Sequence, residues 1–306
     1  MGTSRTGAFS HLLAPDLRKV FFTRYMQYPD EYSQVFNVAS SVKNYEEDSE
    51  IVALGTMPEK PQGEPITYDD PFQAAAKRRY THKSYALGFR VTEELYADDL
   101  YGVIRRVAPQ GLASSAHQTI EVTAWNVINR AFNSAYTGRD SQPLCSTVHP
   151  NIKIDVGSGP FANKPSTDVD LGVTSLQAAI ENLENTTDDR GLNVQLKPRL
   201  LIIAPENKWM TRELLNSEHR PHTADNEINA LLDEELKYLV CHYFSDTDAW
   251  FLVAGKEDHY LTFYWRKKLA FENDDDFDTG DAKFKAGMRF SVDFSGWRGV
   301  YGSSGA

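Results

Sequence analysis

The sequence predicts an α+β fold built on one long helix, and three observations carry that prediction. Residues 110–133, QGLASSAHQTIEVTAWNVINRAFN, contain no proline and no glycine after Gly111, and their apolar residues recur at helical spacing. Residues 171–254 read as helix, strand, helix and then strands. Residues after 258 alternate apolar and polar side chains with the period of two of a half-buried strand.

Bulk properties narrow the function classes. The chain has 306 residues, 41% hydrophobic and 25% charged, which suits one large or two smaller soluble domains. Its longest aliphatic run is Leu200-Leu201-Ile202-Ile203, so no membrane span is expected. No basic, apolar and small-residue series opens the chain, so no secretory leader is expected either. Two cysteines, Cys145 and Cys241, make no disulfide framework and suit a reducing compartment. The net charge is −11, and residues 225–281 alone hold 15 acidic and 5 basic side chains, whereas residues 1–91 hold 11 of each. Such acidity argues against affinity for DNA phosphates, which needs clustered Lys and Arg.

Along the chain, residues 15–36 begin with Pro15-Asp16, a helix start, and carry Leu17, Val20, Phe21, Arg24 and Tyr25 as a short amphipathic arm. Residues 37–91 are polar and punctuated by Pro58, Pro61, Pro65 and Pro71; short alternating runs on either side predict a long two-stranded loop. Lys77, Arg78, Arg79 and Lys83 cluster on its return leg, and the acids Glu59, Glu64, Asp69 and Asp70 nearby favour protein contacts over a nucleic-acid patch. Thr92-Glu93-Glu94 predicts a capped helix that stops before Pro109.

The long helix comes next. Leu112, Ala116, Ile120, Ala124, Val127 and Ala131 form one stripe, and Val122, Trp125, Ile128 and Phe132 form a second beside it. Two apolar stripes predict a buried spine, continuous from Leu112 to Phe132, with Leu112, Ile120, Trp125, Ile128 and Phe132 as its core. Pro109 and Gly111 are expected to separate it from the preceding helix, and Gly138 to end it. Further on, a helix is expected over 171–186, a buried strand over 199–204 and a helix from Pro205-Glu206 with Trp209, Met210 and Leu214 inward. Strands follow near 236–244 and 249–254. The alternation of Tyr260, Thr262, Tyr264 and Arg266 against Leu261, Phe263, Trp265 and Lys267, with returns at 284–294 and 297–301, predicts a terminal sheet packed on the spine.

No constellation of catalytic residues emerges. Cys145, His149, Cys241 and His242 are ligand types, but Cys-x3-His with an adjacent Cys-His matches no common zinc pattern, and ordinary buried thiols and loop histidines are the expectation. The run Asn273 to Asp281 has the alternating acids of a calcium loop, yet Gly280 is one place late and Lys285 replaces the bidentate Glu. A solvated hairpin tip fits it better. There is no phosphate-binding glycine loop, nucleophile elbow or His-Glu-x-x-His. No catalytic group, cofactor or metal is expected, and the protein is not expected to be an enzyme.

The order of parts resembles the tailed-phage major capsid protein, with the Hong Kong 97-like fold. Locally, YTGRDSQPLCSTVHP, SLQAAIENLENTTDDRGLNVQLKPRLLIIAPE and FSVDFSGWRGVYGSSG resemble segments of the Mu-like major head subunits, in the same order along nearly the whole chain. The resemblance implies an N-terminal arm (1–50), an extended loop (51–91), a peripheral domain made of 92–138 with the spine and 259–306 with the returning sheet, and an axial domain (139–258). It implies a homo-oligomeric virion shell of hexamers and pentamers, icosahedral and self-assembling in the host cytoplasm, that encloses double-stranded DNA without reading its sequence. Because the arm starts almost at once, any scaffold is expected to be separate; portal and decoration proteins are the other implied partners. An encapsulin-type nanocompartment shares the fold, and a soluble α+β enzyme or binding module is the reading from a different class.

Residues 1–91 should need other copies to be ordered, since a polar, proline-rich segment buries little apolar surface against an ordering cost of roughly 1–2 kcal/mol per residue. Phe21, Phe22 and Tyr25 of the arm and Tyr80, Tyr85 and Phe89 of the loop are therefore expected against neighbouring subunits, with Lys77, Arg78 and Arg79 facing acidic partners.

Overall fold

The computed structural model describes the chain apart from residues 1–9, 52–53, 70–73, 93, 96–97, 99–101, 151–159, 220–227 and 277–278. Its elements are α1 (Ser10–Tyr25), α2 (Tyr32–Val35), β1 (Asn37–Ser40), β2 (Tyr45–Ile51), β3 (Ala74–Thr81), β4 (Lys83–Val91), α3 (Val103–Asn129), α4 (Val173–Glu184), β5 (Pro198–Ile203), α5 (Lys208–Asn216), β6 (Lys237–Val240), β7 (Trp250–Ala254), β8 (Leu261–Asp275), β9 (Ala282–Phe294) and β10 (Val300–Ser303). Among these residues no helix is long and apolar enough to cross a membrane.

The spine is α3, a helix of 27 residues and so about 40 Å long. It differs from expectation at both ends. Pro109 lies inside it, and it starts after Gly102, whose φ of 62° is left-handed and open to glycine; much of the helix expected from Thr92 lies outside the described residues. Pro109 forfeits one helical hydrogen bond, and the buried face downstream holds the helix together across that gap. At the other end the helix stops at Asn129, short of Phe132. The Ala131 carbonyl is taken by the Cys145 N–H at 2.8 Å, and the Asn129 side chain binds the Tyr243 carbonyl and the Ser245 N–H. The chain is thereby turned off the helix axis. Leu112, Ile120, Trp125 and Ile128 are buried, Phe132 is half-buried and stacked on Phe251, and Val122 is 46% exposed. The second stripe is thus incomplete, and the spine has one broad inner face.

Two four-stranded sheets flank that face. The first runs β1-β8-β9-β4 and the second β10-β7-β5-β6. In the second sheet β7 alternates faces. Phe251 and Val253 join the core shared with the spine, while Trp250 and Leu252 join the core under α4 and α5. β5 does the same with Ile202 on one side and Leu201 and Ile203 on the other. A strand covered on both faces must be apolar at every position, which explains the unbroken runs Leu200–Ile203 and Trp250–Ala254. In α5 the inward residues are Thr211, Leu214 and Leu215; Trp209 and Met210 point outward, with Trp209 66% exposed, contrary to the expected inward set. The spacing of three and four from Thr211 defines the buried side of this short helix.

Two strands depart from the sequence reading. The extended ribbon pairs β2 with β3 alone, because β4 turns away after His82 and joins β9 in the first sheet. His82 makes that turn as a buried side chain held between Ser41 Oγ and Ser291 Oγ, at 3.2 and 3.0 Å. At the C-terminus, β10 leaves the terminal sheet to pair with β7. The turn uses Gly299, at φ 82°, where a Cβ would lie 2.5 Å from the Asp258 carbonyl oxygen. Gly302 then lets β10 approach Phe251 and Cys145, both of which a Cβ would meet at under 3 Å. In the arm, α1 begins at Ser10, five residues before Pro15, rather than at Pro15.

Candidate functional site

The arm docks on the spine through a mixed apolar and polar contact. Leu17 and Phe21 are buried with Leu112, Ala113, Phe271 and Phe284, and Phe22 meets Phe21 edge to face at 5.1 Å. Tyr25 lies against the same core. One turn on, Arg24 donates to the Tyr28 hydroxyl at 2.6 Å, and that hydroxyl meets Ser114 Oγ of the spine at 3.2 Å. Glu121 completes the joint. It is fully buried, accepts the backbone N–H groups of Glu31 and Tyr32 at 2.9 and 3.1 Å, and accepts the Trp125 indole N–H at 2.9 Å. It thus supplies acceptors to the otherwise unsatisfied N-terminal donors of α2. Burial pushes its carboxyl up to about 7, against the opposing pull of these donors.

The ribbon is held to the first sheet by charge. Arg78 binds Asp293 through Nε at 3.0 Å and Nη2 at 2.5 Å, a pair less than a third exposed on either side. Burial raises the Asp293 carboxyl even with this partner, which lowers it. Arg79 pairs with Glu47 across the ribbon and lies over the Tyr45 ring. Tyr80 is buried and meets Tyr264 on the outer face of the first sheet at 5.1 Å. Tyr85 stacks on Phe290 and Phe89 on Phe284, and Lys77 is exposed opposite Ser49.

These contacts correct part of the expected intersubunit set. Phe21 and Tyr80 are used up inside their own subunit, and Arg78 and Arg79 already have acids in the same chain. The balanced charge of residues 1–91 signalled such pairing, but the first sheet's Asp293 lies outside that window. The segment with no cover is 54–69, almost wholly exposed: Met57 is 98% and Tyr68 86% accessible, and Leu54 and Ile66 are more than half exposed. Among the described residues its base is tied by the Gly55 N–H to the Asp69 carboxylate at 3.0 Å and by the Arg190–Asp69 ion pair. The isolated apolar residues among four prolines were the available signal for these positions.

The ligand-type residues do not gather as a zinc set. His149 is bound at Nδ1 by Asp140 at 2.6 Å and at Nε2 by Asn163 at 2.9 Å, and stacks on Trp297. Asn163 also donates to the Leu144 and Val300 carbonyls, so this knot ties the segment after the spine to β10. Burial pushes the Cys145 and Cys241 thiols far up, and both lie in the apolar core. His242 is on the surface with Glu31 at 2.5 Å. The described residues of the acidic run, 273–276 and 279–281, lie at the end of the β8–β9 hairpin, where Lys283 binds Asp276 at 2.6 Å.

Comparison with known proteins places this arrangement. A family model described as "Phage capsid protein" matches residues 75–303. No curated protein matches the sequence. Among solved structures, the mature capsid of bacteriophage PhiM1 is similar at 10% identity and a TM-score of 0.57, over 90% of this chain and 86% of that one. The procapsid protein of bacteriophage JBD30 is 17% identical with a TM-score of 0.52, over 98% and 76% of the two chains. The virus-like particle from Pyrococcus furiosus is 10% identical with a TM-score of 0.53, over 94% and 97%. The likeness extends from the arm to the C-terminal strand, and the fold is the Hong Kong 97-like capsid fold. With the family model spanning the spine, the second sheet, the first sheet except β1 and the second leg of the ribbon, this chain belongs to the phage capsid protein family.

Proposed function

We propose that the chain is the major head subunit of a tailed phage, and that its copies assemble into the hexamers and pentamers of an icosahedral shell around double-stranded DNA. The observation that carries the assembly step is segment 54–69, whose exposed Leu54, Met57, Ile66 and Tyr68 find no cover in their own subunit. In a closed shell each copy gives that segment to a neighbour and receives one in return. The arm (1–50) and loop (51–91) are the linking parts in this reading; 92–138 with 259–306 form the peripheral domain and 139–258 the axial one. Phe22, Tyr25, Lys77, Tyr85 and Phe89, which keep exposed surface, are the remaining candidates for contact between copies.

The net charge of −11 suits a wall that encloses DNA without gripping it. In this reading the chain performs no catalysis, and a scaffold, a portal and decoration proteins are partners to be looked for rather than parts that the reading requires. The phage family match favours a virion head over a nanocompartment. Gel filtration and negative-stain microscopy of the purified full-length chain test the reading. Closed shells, or capsomers that close with a scaffold, support it; a permanently monomeric protein under all assembly conditions rejects it.

A further inference from the structure

The geometry points to a divalent transition-metal site between the arm and the spine, formed by Asp30, His117 and Glu121. His117 is 4% exposed, yet its Nε2 is buried without a hydrogen-bond partner. That nitrogen faces Asp30 Oδ1 at 3.6 Å and Glu121 Oε1 at 3.8 Å. Both distances exceed a hydrogen bond, so neither carboxylate satisfies the imidazole directly. One donor atom from each of the three residues lies within 4.8 Å of the other two, the only such group of three or more among the described residues. A zinc-type ion sits about 2.0–2.2 Å from nitrogen and oxygen ligands, so ligand atoms around it stand roughly 3–4 Å apart. His117 Nε2 already stands so from both oxygens. The space is too wide for a direct contact and suits one atom held between.

The donor set selects the class of ion. One imidazole and two carboxylates suit zinc or a neighbouring first-row metal better than calcium or magnesium, which prefer oxygen alone. Glu121 is held for the purpose. Its Oε1 accepts the Glu31 N–H and keeps a second lone pair, while Oε2 is fixed by Tyr32 and Trp125. The His117 ring is set by Tyr28, whose ring lies 5.1 Å away, and by Tyr25 edge-on at 6.0 Å. The Asp30 side chain is 42% exposed, which gives an entry route and room for water as a fourth ligand. His117 and Glu121 lie one turn apart on α3, whereas Asp30 lies between α1 and α2. A bound ion therefore fastens the arm to the spine within one subunit. This does not rest on the shell reading.

The test uses the full-length chain, stripped with a chelator and dialysed against zinc chloride. The expected result is about one zinc per chain by mass spectrometry and a higher melting temperature with zinc than without. Asp30→Asn removes a partly exposed ligand and should fold, judged by circular dichroism, while binding zinc about tenfold or more weakly and losing the thermal shift. His117→Gln should do the same. Cobalt substituted for zinc should give d–d absorption bands that both variants lack. Zinc well below stoichiometric amounts in the wild type, or equal zinc binding in both variants, overturns the proposal and leaves a bridging water in its place.

Discussion

Trp125 donates its indole N–H to Glu121 Oε2 at 2.9 Å, one turn back along the same helix. The largest fully buried ring of the spine and its buried carboxylate are therefore one unit. Phe36 and Phe244 meet the ring edge-on, so the unit also joins the arm to the loop after β6. Trp125→Ala removes the packing and the donor together and should cost about 3–5 kcal/mol. Trp125→Phe keeps most of the packing and leaves Glu121 one donor short, for about 1–3 kcal/mol. Urea unfolding of unassembled subunits checks both, and an unchanged midpoint in the alanine variant would refute the burial.

Arg78 and Asp293 connect the ribbon to the first sheet, and the pair is less than a third exposed. Arg78→Ala leaves Asp293 desolvated without its cation, a loss of about 1–3 kcal/mol once partial exposure is allowed for. The double variant Arg78→Ala with Asp293→Ala should recover part of that loss. The effect should concentrate in β2 and β3, since the rest of the first sheet has its own pairing. Hydrogen exchange accelerated across residues 45–51 and 74–81, with β8 and β9 little changed, is the expected pattern; uniform acceleration counts against it.

Where one period dominated, local sequence sufficed to read the fold. The alternation of Leu261, Phe263 and Trp265 and the runs at 200–203 and 250–254 mark β8, β5 and β7 because burial on one or both faces fixes residue type. Pro109 misled because a proline within a helix costs a bond that a well-packed face downstream outweighs. β4 and β10 changed sheets at His82 and Gly299, where the determining contacts are with Ser291 and Asp258, distant in sequence. The arm–spine joint was hidden for a related reason. His117, Glu121 and Trp125 recur at steps of four, but His117 and Glu121 are polar and belong to neither apolar stripe. Only the folded arm, which brings Glu31 and Tyr32 over Glu121, turns their side of the helix into an interior.

His259 gives a pH prediction. It is 4% exposed, and its Nδ1 accepts the Leu261 N–H at 3.3 Å, as a neutral ring must. Burial, with Lys256 nearby, lowers its pKa to about 4. Because the folded value lies below the unfolded value near 6.5, the unfolded chain takes up the proton first as pH falls. The contribution is therefore complete above about pH 6.5, falls between there and about pH 4, and is absent below. About 3 kcal/mol should be lost across that window. In His259→Asn the amide oxygen can accept the same N–H but does not titrate. The stability difference between wild type and variant should move against the wild type by about that amount between about pH 7 and pH 4. A difference independent of pH would mean that His259 titrates normally.

The exposed segment at the ribbon's tip gives the prediction closest to assembly. Residues 54–69 bury almost nothing in their own subunit, so removing most of them should cost the fold little. The cut matters. β3 begins at Ala74 and carries Arg78 and Tyr80, so a deletion reaching past residue 73 would also break the ribbon and its tie to Asp293. Replacing 57–67 with a short Gly-Ser turn spares both strands and the Asp69–Arg190 ion pair. The variant should melt at the wild-type temperature and elute as a folded subunit, because ordering a solvated loop contributes no net stability. It should not form shells, because the apolar surface of Met57 and Ile66 is then absent from every contact between copies. A milder change, Met57→Lys with Tyr68→Ser, keeps the length and removes only the apolar groups, and should weaken assembly in the same direction. Electron microscopy at matched protein concentration decides the outcome. Normal shells from the shortened chain would show that the segment is an ornament and that the arm carries the linkage instead.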